Sequence, residues 1–487
     1  MPDMERSRWL TALLALALTQ ILTLSACSPD GSGPGGSGGP GGDGGGIGGS
    51  GVSIGSIDGF GSVILNGRRF ATDDARFVVG GEDSDQSSLR IGMLVRADVD
   101  FSSSTASSVV YDATLRGSLE SIDAAGRRAT VLRQPIVFDA STLFEDVDPS
   151  ELGTGTFIEV SGPRDAAGAV IAGFVRRGAA GEPLQVGGII TAVDVAAMRF
   201  RLGGLEVDYA GADLSSLDGP VADGRSVIVT APAGAFDAAA MRLAAAVVRP
   251  GTGSGLVAQT SVELEGIVTA IDDPTSIAVN EQPVRTDDAT AYAFPDGAAA
   301  TPASVALNAR VEVGGRIDAN GVLVAERVVI VPPEESRLIG RIERLDPVSR
   351  TLELLGVTAG FTERTRLTGE DDPRGGFERL REGMYVRVDA AFFADTLIAA
   401  RIDVQDADEE ARLRGPVTGV DRVNGTFAIL GVPIIDGEDT DYELSNGAEV
   451  RRDAFLQQIE PGDIVTARWR EYRSTTLPPD DVEVELD

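Results

Sequence analysis

The sequence contains no histidine, and all 42 of its basic residues are arginines, because lysine is also absent. Serine and cysteine nucleophiles of the triad type need an imidazole, and HExxH zinc sites need two. Schiff-base and phosphate-loop chemistry needs an amine. The chain alone can build none of these sites, so we expect it not to be an enzyme, with no catalytic, cofactor-binding or metal-binding residues.

Aromatic residues are also scarce, at 5% of the chain, and Cys27 is the single cysteine. One cysteine cannot form an internal disulfide, so any fold in an oxidising compartment must be stable without one. The 60 glycines and 24 prolines favour small, turn-rich units. Because 487 residues are too many for one hydrophobic core, we expect several all-β domains.

The chain also has few positive charges: its 75 acidic residues outnumber the 42 basic ones and leave a formal net charge of -33. A surface of this sign repels phosphate backbones and anionic headgroups. Nucleic acid is therefore not expected as a partner. The charge by itself indicates solubility rather than a binding site.

The N-terminus has the order of a bacterial signal peptide. Arg6 and Arg8 precede a largely apolar stretch, 9–24, and small residues follow it. Residues 1–26 are therefore predicted to be a signal peptide, with an uncleaved transmembrane helix as the alternative.

Leu24, Ser25, Ala26 and Cys27 resemble the lipobox of bacterial lipoproteins, whose cysteine is acylated and becomes the mature N-terminus. The resemblance implies lipidation of Cys27 and a membrane anchor in the cell envelope. Ser28 stands where an aspartate would, in that pattern, favour the inner membrane, so the outer membrane is expected. Whether the chain faces the periplasm or the cell surface stays open.

Residues 27–51 are predicted to be a disordered tether. Fourteen glycines lie between residues 28 and 51, with almost nothing apolar to bury.

The rest of the chain repeats one pattern. A phrase of the form Gly, any residue, apolar, two residues, apolar, Asp begins at Gly117, Gly188, Gly266, Gly340 and Gly415, and Gly55, Ile57 and Asp58 open a variant first copy. The starts lie roughly 60 to 80 residues apart, which is typical of a domain array.

A second phrase, an apolar residue followed by glycine three positions later, comes late in each copy. Its turn residues are Gly92, Gly155, Gly224, Asn308, Gly383 and Gly462. Because asparagine is the residue next most tolerant of the left-handed conformation, Asn308 in place of glycine indicates a tight turn with positive φ. Alternating apolar and polar residues after it predict a half-buried antiparallel strand, as in Val95, Ala97 and Val99 and again in Val465, Ala467 and Trp469.

We therefore predict a tandem array of six small antiparallel β-barrels of the oligonucleotide/oligosaccharide-binding type, with a two-sheet sandwich as the alternative. The repeats, numbered 1 to 6, have the predicted bounds 52–115, 116–178, 185–250, 262–332, 335–406 and 411–487.

Repeat 1 carries a family resemblance. It reads Gly55, Ser56, Ile57, Asp58, Gly59, Phe60, Gly61, Ser62 and Val63, followed by Asn66, Gly67 and Phe70. This opening resembles the bacterial domain-of-unknown-function family 5666, whose members are often lipoproteins with tandem copies. The Gly-Phe-Gly and Asn-Gly elements are lost in the later repeats. The resemblance implies no catalytic residues.

Four features of the sequence are candidate sites. Asn66 and Gly67 predict a hairpin turn, and Gly59–Gly61 lacks the lysine and helix of a phosphate loop. Two acidic clusters, Glu82, Asp83, Asp85 and Asp436, Glu438, Asp439, Asp441, Glu443, have the oxygen donors that calcium prefers but not EF-hand spacing, so solvated loops are favoured. The recurring Asp123, Asp194, Asp272, Asp346 and Asp421 are interpreted as turn residues.

Together these features predict a non-enzymatic envelope lipoprotein that serves as a spacer or binding scaffold. Its ligand is open; an envelope protein or a glycan would fit. The alternatives are a glycan hydrolase that uses Asp/Glu pairs and a calcium-dependent adhesion protein.

Overall fold

The computed structural model describes residues 48–485, except for 124–126, 140, 296, 370–375, 394–395, 436–439, 445–447 and 476–477. This part of the chain is all-β, as predicted, with 42 strands, four short 3-10 helices and one short α-helix. No helix among the described residues is long and apolar enough to cross a membrane.

The strands of the first three repeats are short apart from the opening strand. Repeat 1 contains β1 Ser50–Gly59, β2 Val63–Leu65, β3 Arg68–Phe70, β4 Arg76–Val79, β5 Glu82–Ser84, β6 Leu94–Asp100 and β7 Thr105–Tyr111. Repeat 2 contains β8 Leu115–Ile122, β9 Arg128–Val131, β10 Gln134–Val137, β11 Leu143–Glu145, β12 Phe157–Ser161, β13 Val170–Ile171 and β14 Phe174–Arg177. Repeat 3 contains β15 Leu184–Ile189, β16 Thr191–Asp194, β17 Arg199–Leu202, β18 Leu205–Asp208, β19 Ser226–Ala231, β20 Phe236–Asp237, β21 Arg242–Ala244 and β22 Val247–Pro250.

The last three repeats follow the same plan. Repeat 4 contains β23 Ser261–Asp273, β24 Ser276–Val279, β25 Gln282–Arg285, β26 Ala291–Ala293, β27 Arg310–Ile317 and β28 Leu323–Val331. Repeat 5 contains β29 Ser336–Arg341, β30 Arg344–Asp346, β31 Thr351–Leu354, β32 Val357–Gly360, β33 Arg366–Thr368, β34 Tyr385–Phe393 and β35 Thr396–Val404. Repeat 6 contains β36 Ala411–Asp421, β37 Thr426–Ile429, β38 Val432–Ile434, β39 Asp441–Glu443, β40 Glu449–Val450, the helix α1 Arg452–Gln458, β41 Ile464–Trp469 and β42 Asp481–Glu485.

β1 begins inside the predicted tether. Ser50 and Gly51 were assigned to the glycine-rich segment 27–51, but they are the first two residues of this strand. Gly51 is paired on both sides, with Val99 of β6 and with Ser261 of β23. A side chain at position 51 would lie 2.3 Å from the carbonyl oxygen of Ser261, so this glycine serves close strand approach rather than flexibility.

The predicted turn with positive φ is confirmed in every repeat. The five glycines at this position, Gly92, Gly155, Gly224, Gly383 and Gly462, have φ between 83° and 105°, and Asn308 has φ of 65°. A strand follows each turn, and its alternation places one face in the core, as in β6, where Val95, Ala97 and Val99 are buried. The second phrase therefore encodes a turn and the strand after it.

The two repeated sequence patterns are joined to each other by backbone hydrogen bonds. In repeat 1, the Gly92 N–H donates to the Ile57 carbonyl at 2.8 Å, and the Ile57 N–H donates to the Met93 carbonyl at 2.9 Å. The corresponding apolar residues of the other repeats make the same two bonds: Leu119, Ile190, Val268, Ile342 and Val417. Each turn thus closes onto the opening strand of its own repeat.

Within a repeat, the opening strand is long enough to pair twice. In repeat 4, β23 pairs with β27 from Ser261 to Ile267 and with β24 from Val268 onward. β24 pairs with β25, β25 runs parallel to β28, and β28 pairs with β27. The pairing therefore returns to the strand from which it began. Repeats 1, 2, 3 and 5 follow the same order along the chain, but the opening segment is divided into two strands in repeats 3 and 5, and the last segment into two strands in repeats 2 and 3.

The repeats are not six separate barrels, which corrects the predicted array. β1 pairs in parallel with β23 of repeat 4. Two further pairings are antiparallel: β8 pairs with β15 of repeat 3, and β29 pairs with β36 of repeat 6. Three of the four sheets consequently contain strands from two repeats. The opening strand of one repeat thus lies beside the opening strand of another in the same sheet, and this pairing covers a strand edge that would otherwise be free.

The hydrophobic cores are shared in the same way. Val52 and Ile54 of repeat 1 lie in one cluster with Leu264 and Val313 of repeat 4. Repeats 2 and 3 share a second cluster, and repeats 5 and 6 share a third. The chain from residue 47 onward forms one compact unit.

Candidate functional site

The predicted signal peptide, the lipidation site Cys27 and most of the tether lie outside the described residues. Lipidation of Cys27 therefore stays a prediction from the sequence. The other candidate residues have defined positions, and they fall on separate parts of the fold.

The predicted Asn-Gly hairpin is confirmed. Asn66 and Gly67 have φ of 54° and 67° and connect β2 to β3, as a type I′ turn requires. The Asn66 amide donates to the Ser53 hydroxyl at 3.1 Å and to the Ile54 carbonyl at 3.3 Å. These bonds fix the hairpin against β1, so the motif has a structural role.

Four of the five repeated aspartates act as turn residues, as interpreted. Their carboxylates accept backbone N–H groups two to four residues later: Asp123 from Arg127, Asp194 from Ala197, Asp346 from Val348 and Asp421 from Val423. In repeat 4 the neighbouring Asp273 takes this role and accepts from Thr275. In repeat 6 the backbone N–H of Asn424 lowers the pKa of Asp421, which keeps this carboxylate ionised.

The first acidic cluster is dispersed over an exposed hairpin. Asp83 is paired with Arg76, and Asp85 accepts the Ser87 N–H at the start of a 3-10 helix. In the second cluster, Asp436, Glu438 and Asp439 lie outside the described residues, whereas Asp441 and Glu443 belong to β39. The described residues contain no group of three or more potential metal ligands. Calcium binding at Asp436, Glu438, Asp439, Asp441 and Glu443 stays the alternative to the solvated loop that the sequence favours.

A buried set of charges joins repeats 1, 4 and 5. We call Asp58, Glu265, Glu312, Arg364 and Arg366 the ionic junction. Arg366 Nε donates to Asp58 at 3.0 Å, and both side chains are only 7% exposed. Arg364 makes two bonds to Glu312, at 2.7 and 2.6 Å, a bidentate geometry that is strong for an arginine and a carboxylate.

The ionic junction also makes hydrogen bonds to the backbone of repeat 1. Glu265 accepts the Ser56 N–H at 2.8 Å, although the two residues belong to different repeats. Arg364 also donates to the Asn66 carbonyl at 3.4 Å. These bonds place the opening strand of repeat 1 against repeats 4 and 5.

Burial raises the pKa of Asp58 to about 7; the charge of Arg366 opposes this shift, and the carboxylates of Glu265 and Glu312 add to it. A cavity of about 90 Å³ touches Asp58 beside Phe60 and Phe361. Ligand sites usually occupy roughly 300 to 1,000 Å³. The cavity therefore has room for water but not for a sugar or peptide substrate, and the junction is best understood as a structural contact.

Asp58 gives a pH prediction. Because its folded pKa lies above the ordinary 3.8, the folded chain binds this proton more tightly than the unfolded chain, and stability falls as pH rises from about 4 to about 7. Asp58→Asn removes this dependence. The free energy of unfolding of the variant, relative to that of the native chain, should therefore be higher at pH 8 than at pH 5 by roughly 1 to 3 kcal/mol. Urea unfolding at the two pH values measures this difference. The exposed Asp83→Asn is the control. If Asp58→Asn changed the free energy of unfolding by the same amount at pH 5 and at pH 8, the raised pKa of Asp58 would be contradicted.

A second buried cluster of hydrogen-bonded side chains, centred on Glu159, joins repeats 1 and 2. Glu159 is 1% exposed and accepts from Tyr111 at 2.7 Å, from Arg116 at 2.7 Å and from Arg176 at 2.9 Å. Burial by itself would raise the pKa of Glu159, but the two guanidinium groups outweigh burial and hold this pKa below its usual value. Glu159 is therefore an ionised buried carboxylate with three partners.

Asn308 has a role that its turn position did not indicate. Its side-chain oxygen accepts the Ala166 N–H at 2.9 Å, a contact from repeat 4 to repeat 2 that glycine cannot make. Asn308→Gly should keep the positive φ and lose only this exposed bond, at a cost of about 1 kcal/mol or less. Asn308→Ala loses the bond and also strains the turn, so it should cost more. Thermal unfolding of the native chain and the two variants measures both effects. An Asn308→Gly melting temperature equal to that of the native chain would contradict the contact, and equal melting temperatures of the two variants would contradict the strain.

Three of the repeats match a known family. The profile described as Domain of unknown function (DUF5666) matches residues 116–176, 265–329 and 339–403, which lie in repeats 2, 4 and 5. The chain therefore carries tandem copies of this domain, as the resemblance implied. These matched segments lie outside Gly55 to Phe70, the stretch of repeat 1 that suggested the family. No curated protein matches the chain.

Proposed function

We propose that this chain, with its tandem DUF5666 domains, is a non-enzymatic lipoprotein of the cell envelope whose six repeats form one binding body. The observation that carries the proposal is the pairing between repeats, such as that of β1 with β23, in which Gly51 pairs with Ser261. A spacer needs repeats arranged end to end. Repeats that share sheets and cores are held side by side, which favours a scaffold for binding over a spacer.

We also infer that each repeat is a small barrel of the oligonucleotide/oligosaccharide-binding type, joined to its neighbours. Two features support this topology: the opening strand pairs with both the second and the penultimate strand, and the third strand runs parallel to the last. This order is the one expected for a five-stranded barrel of that type.

The anchor is argued from the sequence around Cys27. Acyl chains at this cysteine would hold the body at a bilayer, because several chains together bury enough methylene groups for stable binding. An outer-membrane location is part of the proposal, since Ser28 does not carry the retention signal.

Metabolic labelling tests the anchor. Cells that express the full chain are grown with an alkyne analogue of palmitate, and the label on the purified protein is measured. The native chain should be labelled and should fractionate with outer membranes, whereas Cys27→Ser should be unlabelled and released by washing. Equal labelling of the two chains would contradict the lipid anchor.

The two alternatives stay predictions with tests of their own. Calcium-dependent adhesion predicts a large rise in melting temperature in millimolar calcium, and an unchanged melt would remove it. A glycan hydrolase predicts release of soluble sugar from purified envelopes. An envelope protein or glycan that co-purifies with the chain would instead support the binding scaffold.

A further inference from the structure

A large cleft lies between repeats 2 and 4. Its volume is about 750 Å³, within the range of roughly 300 to 1,000 Å³ that is usual for small-molecule sites. The chain segment 332–334, which leads from repeat 4 to repeat 5, lines one side of it. The apolar part of the wall consists of Ile171, Ile267, Phe294, Leu307, Ile330 and Val331.

One polar group in this wall has no partner. The Oε2 atom of Glu334 is buried and makes no hydrogen bond to any described residue. A buried carboxyl oxygen without a partner is costly, by roughly 1 to 3 kcal/mol or more. Burial, with a further contribution from the carboxylate of Asp389, raises the pKa of Glu334. A ligand that places a positive charge beside this carboxyl group would offset the cost.

The charges around the cleft have a consistent sign. Asp139 and Asp165 line it together with Glu334, and each belongs to a different segment of the chain. The one arginine among the lining residues, Arg310, is 3.4 Å from Glu265 and is thus already matched with a carboxylate. Arg310 and Arg366 offset part of the charge of Glu334, but three carboxylates line the cleft against one arginine, so an anionic ligand would be repelled and a cation attracted.

We propose that this cleft binds a small organic cation with an apolar body, whose ammonium or guanidinium group pairs with Glu334. The proposal deepens the proposed binding function by naming a ligand class and the place where it binds. The apolar wall contacts the body of the ligand, and the carboxylate selects its charge. Asn308 lies at the same cleft, so its bond to Ala166 fixes the two repeats that form it.

Three probes that share an alkyl chain and differ in the charge of the head group test whether the cleft prefers a cation. Octylammonium, octanol and octanoate are titrated calorimetrically into the full chain carrying Cys27→Ser, in which no acyl group competes with the probe. Octylammonium should bind at least tenfold more tightly than octanol, and octanoate should bind most weakly. Octanoate or octanol binding as tightly as octylammonium would overturn the proposal, as would undetectable binding of octylammonium.

Two matched variants test whether Glu334 binds the positive charge of the ligand. Glu334→Gln should weaken octylammonium about tenfold and leave octanol unchanged, and the octanol titration also shows that the cleft is still folded. The control is Glu335→Gln, which alters the exposed neighbouring side chain and should change neither probe. Equal effects of the two substitutions would overturn the role of Glu334. Acylation has no part in these titrations, so their failure is distinguishable from failure of the anchor.

Discussion

Arg366→Met is expected to lower the free energy of unfolding by about 3 to 5 kcal/mol, because it leaves the carboxyl group of Asp58 buried without its partner. Arg366 and Asp58 are both 7% exposed, so bulk water has little access to replace the lost bonds. Urea unfolding at pH 8, where Asp58 is mostly ionised in the native chain, measures the effect.

The chain offers a matched control for this prediction. Arg76 and Asp83 form the same kind of pair on an exposed hairpin, with side chains 69% and 73% exposed. Arg76→Met should therefore cost less than about 1 kcal/mol. The double variant Asp58→Leu with Arg366→Met removes both charges and should recover much of the loss. A cost for Arg366→Met no larger than that for Arg76→Met would contradict the ionic junction.

Ending the chain at residue 260, after repeat 3, is expected to destabilise repeat 1, although its own sequence is intact. β1 then loses its parallel partner β23, and Val52 and Ile54 lose the core that they share with repeat 4. Exposing two such side chains costs roughly 1.5 to 3 kcal/mol each. Hydrogen exchange of the β1 amides should therefore speed up about a hundredfold or more.

The control fragment for this experiment is 48–332, which keeps repeat 4. Its β1 amides should exchange much more slowly than those of the shorter fragment, although faster than those of the full chain, because Asp58 of β1 then lacks its partner Arg366. The unpaired edge of β1 should also make the shorter fragment aggregate, which gel filtration can detect. Equal protection of β1 in the two fragments would mean that repeat 1 folds alone, and this would contradict the shared core.

Local features of the fold could be predicted because their causes are local. The positive φ at Asn308 followed from the substitution of asparagine for glycine at a repeated position, and the hairpin at Asn66 from a dipeptide with a strong turn preference. The buried face of β6 followed from alternation. Each of these signals lies within about ten residues of the feature that it predicts.

The contacts between repeats could not be predicted in this way. Glu263 and Glu265 alternate with apolar residues in β23, a pattern that places them on a solvent-exposed face. Both are buried, because repeat 1 and the arginines around the ionic junction cover that face. The partner of Asp58 lies 308 residues away along the chain. Sequence periodicity carries no information about which repeats pack together.

Small-angle X-ray scattering from residues 48–487 tests most directly whether the six repeats form one body. A compact chain of this length has a radius of gyration near 22 Å, and repeats that share sheets should stay within about 30 Å. Six barrels in a row, each about 27 Å across, would instead exceed about 40 Å. A value below about 30 Å is the result that shared sheets predict, and a value above about 40 Å would contradict them.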